Sequence, residues 1–310
     1  MKRVLVVSYS QSGQLHGVVD SVLEPLHASV HHEILQPQPA FPFPWSLRSF
    51  LDVFPESVRL EPCGLAPLGI AEDAEFDLVI LAYQVWFLAP AQPMTAFLKS
   101  PAARRLLKGK PVVTIIACRN MWLTAQETVK RLIAEAGGRL KDNIVLTDRA
   151  NALATFISTP RWLLTGRRDR FLGLPPAGVP QSDIDGCRRF GVALSEALAN
   201  DGEAGSAPML SGLRAVEVEP RLIMSERAGS RAFRVWSAII RKFGPPGGTA
   251  RQCMLLVFVC YLIAMIITIV PLSLLLQKLL RPLLAGRIGT LKNYYEQPSG
   301  SQDFRMVSHD

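Results

Sequence analysis

Val4-Leu5-Val6-Val7-Ser8-Tyr9-Ser10-Gln11-Ser12-Gly13-Gln14-Leu15 reads as a strand that runs through a polar loop into a helix. An apolar, β-branched run stops abruptly in a hydroxyl-rich loop. From Gln14 the spacing becomes helical, with Leu15, Val18, Val19, Val22, Leu23 and Leu26 on one stripe through residue 27. A buried strand feeding a helix is the opening unit of a parallel sheet, whose strands need crossover connections. The loop suits a phosphate monoester. Ser10 and Ser12 carry hydroxyl donors, Gly13 lets the backbone approach closely, and the N–H groups opening the helix face an anion. It is neither a P-loop nor a G-x-G-x-x-G turn. An ordinary polar strand-to-helix turn has the same local chemistry, so the loop alone leaves both readings open.

Downstream, residues 30–35 read as a second strand, and 36–67 are too rich in proline to form one element, apart from a short helix around 46–53. Residues 76–83 form the clearest strand, almost wholly apolar as expected when both faces are covered. A loop over 84–92 precedes a helix over 93–99, then a strand over 111–118 and a helix over 123–136 that Gly137-Gly138 ends. Residues 144–147 belong to a fifth strand, 151–181 read as irregular, and Ser182-Asp183 is expected to cap a helix to 199. Strands alternating with helices predict an α/β, doubly wound, five-stranded parallel sheet in the flavodoxin-like order 2-1-3-4-5, with a ligand at the carboxyl ends of the strands.

Three segments in the right order carry a resemblance over about residues 1–150. Tyr9-Ser10-Gln11-Ser12-Gly13-Gln14 is similar to the FMN-phosphate loop of flavodoxins and related NAD(P)H-dependent flavin reductases. Phe76-Asp77-Leu78-Val79-Ile80-Leu81-Ala82-Tyr83-Gln84-Val85-Trp86-Phe87 resembles their third strand and ring-side loop, and Pro93-Met94-Thr95-Ala96-Phe97-Leu98 the helix after it. The resemblance implies an FMN site built from Ser10, Gln11, Ser12, Gly13, Gln14 and Leu15 at the phosphate. Gln84, Val85, Trp86 and Phe87, then Cys118, Arg119, Asn120 and Trp122, would lie around the ring, with NAD(P)H as a donor. Trp86 offers flat surface to a flat ring, and core packing is its other reading. Arg119 suits an anionic ring or a cofactor phosphate, and a solvated surface charge is its other reading.

Net charge is +8 over 310 residues, 49% of which are apolar. The mean hydropathy of +0.21 implies that part of the chain is not soluble. Residues 1–200 carry 21 Lys/Arg against 18 Asp/Glu, and residues 201–310 carry 13 against 8. From Arg231 to Lys292 there are nine Lys/Arg and no acid, a pattern suited to anionic lipid headgroups. Nucleic acid is the rival partner for a basic tail. The 23 uncharged residues 254–276 in the same window select lipid, since at about 1.5 Å per residue they match a hydrocarbon core.

The expected organisation is a flavin domain over 1–200, a linker over 201–230, a basic amphipathic and membrane segment over 231–292 with its hydrophobic core at 254–276, and a tail over 293–310. Arg251 before that core and Lys278 and Arg281 after it leave the positive-inside rule undecided. A single crossing with the C-terminus outside is expected, and a helix or hairpin embedded from one face is the alternative. Met-Lys-Arg followed by four apolar residues is too short for a signal-peptide core, so the flavin domain is expected to face the cytoplasm from the inner membrane.

Five scattered cysteines predict neither a disulfide framework nor a zinc site. The histidines 16, 27, 31, 32 and 309 lack metal-ligand spacing, and no acid–base constellation stands out, so catalytic residues stay unassigned and no metal is expected. Residues 41–45 and 156–174 are insertions whose mixed aromatics and arginines suit a lid or a membrane interface, or a surface loop anchored by its aromatics.

With the tail included, the chain resembles a narrower bacterial group, the dialkylresorcinol condensing enzymes. Phe41-Pro42-Phe43-Pro44-Trp45, Asp52-Val53-Phe54-Pro55-Glu56-Ser57-Val58, Cys118-Arg119-Asn120-Met121-Trp122 and Asp142-Asn143-Ile144-Val145-Leu146-Thr147-Asp148 carry this. The resemblance implies work on alkyl-aromatic lipids beside pathway enzymes. No Cys-His-Asn set for condensation is present, so a flavin-dependent redox step on a lipophilic ring or quinone fits better. A flavodoxin-type electron carrier or docking protein for a membrane enzyme is the alternative. Association with a second copy is also expected, and none with nucleic acid.

Overall fold

The β-branched N-terminal run forms β1 (Arg3–Ser8), buried from Val4 onward. A strand buried on both faces must lie inside a sheet, and β1 pairs in parallel with β2 (Ser29–Ile34) on one side and β3 (Leu78–Tyr83) on the other. β4 (Pro111–Cys118) and β5 (Arg139–Thr147) extend the sheet beyond β3. The computed structural model describes residues 1–279 and 281–306, with backbone alone at 152–153, 269–271, 273–279 and 281–284. Among the described residues, the long strands make one five-stranded parallel sheet in the order β2-β1-β3-β4-β5. Two short antiparallel ribbons, not foreseen from the sequence, interrupt the succession. Pro37–Gln38 pairs with Gly64–Leu65, and Val85–Trp86 with Ala89–Pro90. Counted over every strand, the numbering across the sheet therefore departs from 2-1-3-4-5.

Right-handed crossovers put α1 (Gln14–Leu23), between β1 and β2, on one face. α4 (Gln92–Lys99) and α6 (Leu123–Glu135), which serve the other half of the sheet, fall on the opposite face. α1 stops at Leu23, short of the expected residue 27, because Pro25 cannot continue it. The single helix expected over 182–199 is two, α8 (Gln181–Asp185) and α9 (Arg188–Ala199), separated at Gly186, and no side chain caps α8. Part of the stretch read as irregular forms α7 (Ala152–Thr165), with Pro160 inside it. Partly buried Leu163 and Leu164 pack this helix on the core, which outweighs the hydrogen bond lost at the proline.

The expected linker, 201–230, is part of the folded body. Met209, Leu210, Leu213, Val216 and Val218 are buried in the main core. The Asp142 carboxylate accepts the N–H groups of Met209 and Leu210 at 2.8 and 3.1 Å. Ala215 O accepts the Val145 N–H at 2.9 Å along the outer edge of β5. The Gly/Ala/Ser-rich composition that suggested a linker ends at 208, and the apolar stretch after it covers that edge.

α10 (Pro220–Arg241) and the start of α11 (Thr249–Leu279) build a second, smaller core with residues 47–58, which fold as α2 (Leu47–Asp52) and α3 (Phe54–Val58). Leu51, Phe54, Ile240, Leu255 and Phe258 form its centre. Among the described residues α11 is the one helix long and apolar enough, over Thr249–Thr268, to cross a membrane by length and composition. The expected hydrophobic core 254–276 runs past that window into residues whose side chains are not described. α12 (Arg281–Glu296) follows, and the tail expected over 293–310 returns to the domain, with Tyr295 in the main core. His309 and residues 307–310 lie outside the described residues.

Candidate functional site

Where β1 ends, the chain turns through Gly13 at φ +81°, a left-handed conformation that glycine adopts without penalty, and α1 begins. Ser10 Oγ accepts the Leu15 N–H at 3.2 Å and so braces the loop from inside. The Gln11 N–H donates to Gln84 Oε1 at 2.8 Å, which ties the loop to the end of β3. Gln11 Nε2 donates to the Pro42 carbonyl at 2.6 Å, and Tyr9 OH to Gln11 Oε1 at 2.6 Å. Among the described residues the backbone N–H groups of Ser12, Gly13 and Gln14 make no hydrogen bond. Three open donors at a helix N-terminus have the chemistry that suits an anion. No atom lies within 4 Å of where a Cβ on Gly13 would stand, so the approach is clear.

Beside this loop, at the carboxyl ends of β3 and β4, lies a cavity of about 190 Å³. Of the residues named from the sequence, it brings together Gln11, Ser12, Gln14, Leu15, Gln84, Val85, Trp86, Phe87, Cys118 and Arg119. Ser10 and Gly13 sit in the loop without lining the cavity. Asn120 and Trp122 are not brought to it. Met121, at φ +49°, turns the chain away, and both line a separate cleft with Glu217, Leu222 and Glu226. The Gln14 side chain is also turned from any phosphate, because both ends of its amide bind Val179. It offers an anion only its backbone N–H.

The ribbon after β3 fixes the aromatic wall. Its two central residues, Phe87 at φ +51° and Leu88 at φ +64°, are both left-handed, as a type I′ turn requires and as Phe and Leu rarely allow. Three contacts hold this strained turn. Phe87 packs on Phe50 and Phe54 at ring distances of 4.8 and 5.2 Å, and the Leu88 carbonyl accepts Thr124 Oγ1–H at 2.9 Å. Trp86 is buried edge-on among Tyr9, Phe41 and Trp45, at 5.8, 5.1 and 5.7 Å. It is both core and cavity wall, so the two readings of this residue are not exclusive.

Sequence reasoning missed Phe50, Asp148 and Gly178 in the lining, and it flagged Phe43, Trp162 and Leu163 only as parts of insertions. The insertions meet over the cavity. The Trp45 backbone N–H donates to the Leu163 carbonyl at 2.9 Å, and Phe43 stands edge-on to Trp162 at 6.4 Å. The Asp148 carboxylate accepts the Ala150 and Gly178 N–H groups at 2.8 and 2.9 Å. The Arg119 guanidinium lies 4.0 Å from the Phe156 ring centre, and Nε donates to Thr155 Oγ1 at 2.8 Å. Burial pulls its pKa below the usual arginine value, against the opposing field of Asp148, and an arginine so placed stays charged. Burial pushes the Cys118 thiol well up, so it is no thiolate nucleophile. Among the described residues no group of three His, Cys, Asp or Glu is placed to hold a metal.

These residues fit the two ends of FMN unequally. The open N–H cradle with Ser12 suits the phosphate. The walls suit a flat ring, but the cavity is below the roughly 300 Å³ at which small-molecule sites begin, and Phe43 and Trp162 in its lining belong to the insertions.

No family model matches the sequence, and no curated protein does. Among solved structures, a flavoprotein in complex with FMN from Lactobacillus acidophilus is 13% identical, over 47% of this chain and 93% of its own, with a TM-score of 0.40. A putative flavoprotein from Bacteroides eggerthii is 15% identical over 47% and 89%, with a TM-score of 0.39. A flavodoxin, WrbA-like protein from Agrobacterium tumefaciens is 11% identical over 64% and 99%, with a TM-score of 0.38.

Proposed function

We propose that the chain is an FMN-dependent oxidoreductase, held at a membrane, that acts on a lipophilic ring or quinone-like substrate. The observation that carries the flavin reading is the continuity of loop and cavity. Three unbonded N–H groups at residues 12–14 adjoin an aromatic-lined space at the carboxyl ends of β3 and β4, where the order of this sheet puts its ligands. Bound there, FMN would supply hydride and electron transfer. The chain's own residues do the rest. The loop N–H groups and the Ser12 hydroxyl hold the phosphate, and Trp86 and Phe87 orient the ring. Arg119 fixes a positive charge beside it, and Phe43 and Trp162 exclude water. The insertions cover the side that a docked electron-transfer protein would approach, which tells against the electron-carrier alternative.

The membrane part of the reading is supported by the apolar window in α11 and the acid-free basic stretch around it. NAD(P)H as donor, aromatic-lipid chemistry of the dialkylresorcinol type, pathway enzymes or a second copy as partners, and an inner-membrane location facing the cytoplasm belong to the same proposal. They rest on the resemblance and composition of the sequence. The deciding experiment is mass spectrometry of the small molecule released from detergent-purified protein, with absorbance across the flavin bands. FMN is the expected result, and a colourless protein that cannot be reconstituted with FMN sinks the reading.

A further inference from the structure

We propose that α11 enters the bilayer from one face and does not cross it, so that residues 1–240 and the tail after α12 stay on the same side. The inference rests on the membrane part of the proposed function and answers what the sequence left open.

The return of the chain carries it. Beyond α12 the tail is sewn to the strand at the sheet edge. Ser299 Oγ accepts the Asn143 N–H at 2.7 Å and donates to Asp142 Oδ1 at 2.8 Å. The Arg214 N–H donates to Gln302 O at 2.7 Å, and the Arg305 guanidinium to Met209 O at 2.9 Å. Tyr295 is 8% exposed, inside the main core. α11 starts on the same body, where Arg251 lies between Asp52 and Glu56 and Leu255 and Phe258 join the second core. Both flanks of the apolar helix thus belong to one folded unit, which a single crossing would divide.

A double crossing fails as well. α12 has 16 residues, about 24 Å of helix, and its sequence carries Arg281, Arg287 and Lys292. Its Ile288 and Leu291 already pack on the main core, so too little of it remains to recross a hydrocarbon layer about 30 Å thick.

What α11 leaves unpartnered is apolar: Leu256 is 57% exposed, Val257 51%, Ile263 52% and Ile267 69%. The segments before and after it carry the exposed cations Arg231, Arg234, Lys242 and Arg287, in a stretch of nine Lys/Arg without an acid. Charge selects the occupant. A second copy would bring the same cations against these, whereas an anionic leaflet neutralises them. Cations stand exposed before the helix at Lys242 and after it at Arg287, which suits insertion from one face.

The test uses the full chain carrying Cys63→Ser, Cys253→Ser and Cys260→Ser, with Asp73→Cys or Asp303→Cys added singly at exposed positions of the domain and the tail, each signal read above that of the same chain without the added cysteine, which keeps half-buried Cys118 and buried Cys187. In inverted and right-side-out membrane vesicles from expressing bacteria, an impermeant maleimide is expected to reach both sites from the same side. Labelling from opposite sides overturns the proposal. Purified protein is expected to float with phosphatidylcholine–phosphatidylglycerol vesicles, and Ile267→Glu to weaken that binding about tenfold or more with no shift in the urea midpoint. A protein that ignores such vesicles and runs as a dimer through this face overturns it. Flavin is released and quantified from the same preparations. Its absence, with same-side labelling, sinks the flavin reading and leaves this one standing.

Discussion

Gln14 and Val179, 165 residues apart, bind each other through a complete amide pair. The Val179 N–H donates to Gln14 Oε1 at 3.0 Å, and Gln14 Nε2 donates to the Val179 carbonyl at 3.0 Å. The first residue of α1 is thereby locked to the chain that closes the cavity behind it. Each such bond contributes about 0.5–1.5 kcal/mol net, so Gln14→Ala should lower stability by about 1–3 kcal/mol in urea unfolding. FMN affinity should fall with it, because the loop loses its rear support. Unchanged stability would mean that the pair is incidental.

Gly178 stands beside this pair at φ +91°. A Cβ there would come within 2.6 Å of Gln14 Oε1 and 2.7 Å of Trp162 Cζ3. Gly173 is a matched control at φ +76°, with nothing within 4 Å. Gly173→Ala should cost only the left-handed backbone penalty, roughly 1 kcal/mol. Gly178→Ala should cost that and about 1–3 kcal/mol more, since the clash displaces Trp162 or the Gln14 amide. Equal shifts in melting temperature would show that the space around Gly178 is not tight.

Arg251 is 1% exposed and binds two acids, one from α2 and one from α3. Nε donates to Asp52 Oδ1 at 2.8 Å and Nη1 to Glu56 Oε1 at 2.9 Å. Arg251→Met leaves both carboxylates uncompensated and should cost about 3 kcal/mol, with faster proteolysis where α11 leaves α2 and α3. The triple variant Asp52→Asn, Glu56→Gln, Arg251→Met should recover most of that loss, because no charge then lacks its partner. A triple variant as unstable as the single one would contradict this account.

His16 and His32 stand edge-on with ring centres 6.2 Å apart, and His32 Nε2 shares a 2.8 Å hydrogen bond with Ser8 Oγ. Burial lowers both pKa values, and the acidic neighbours Asp20 and Glu33 do not offset it. A histidine depressed in the folded state takes up protons on unfolding. Stability from this pair is therefore full above the ordinary histidine value of about 6.5 and falls as pH drops below it. His16→Phe should flatten the acid side of a melting temperature profile, and a slope unchanged from the parent's would assign it to other groups.

Phe43 and Trp162, both from the insertions, line a cavity of about 190 Å³, smaller than small-molecule sites usually are. Trp162→Ala should speed both association and release of FMN, followed by quenching of its fluorescence, by several-fold or more. Rates equal to those of the parent would show that the insertions do not gate the site.

Much of the sheet was legible in the sequence, because a strand covered on both faces announces itself locally. The runs in β1, β3 and β4 are nearly all apolar, and the loop after β1 shows where the chain turns into a helix. The resemblance to flavodoxins named ten residues that the structure gathers at one sheet edge, where parallel strands deliver their carboxyl ends together. It misplaced Asn120 and Trp122, because a single left-handed residue, Met121, reverses the chain without any glycine to signal it. Local pattern took 201–230 for a linker and 151–181 for irregular chain, where composition and Pro160 argued one way and burial against the sheet decided the other. The Gln14–Val179 pair, the Arg251 cluster and the return of the tail to Asp142 join residues more than 150 positions apart. Such contacts have no period or spacing, and only the packed chain, in which each buried polar group must find its partner, determined them.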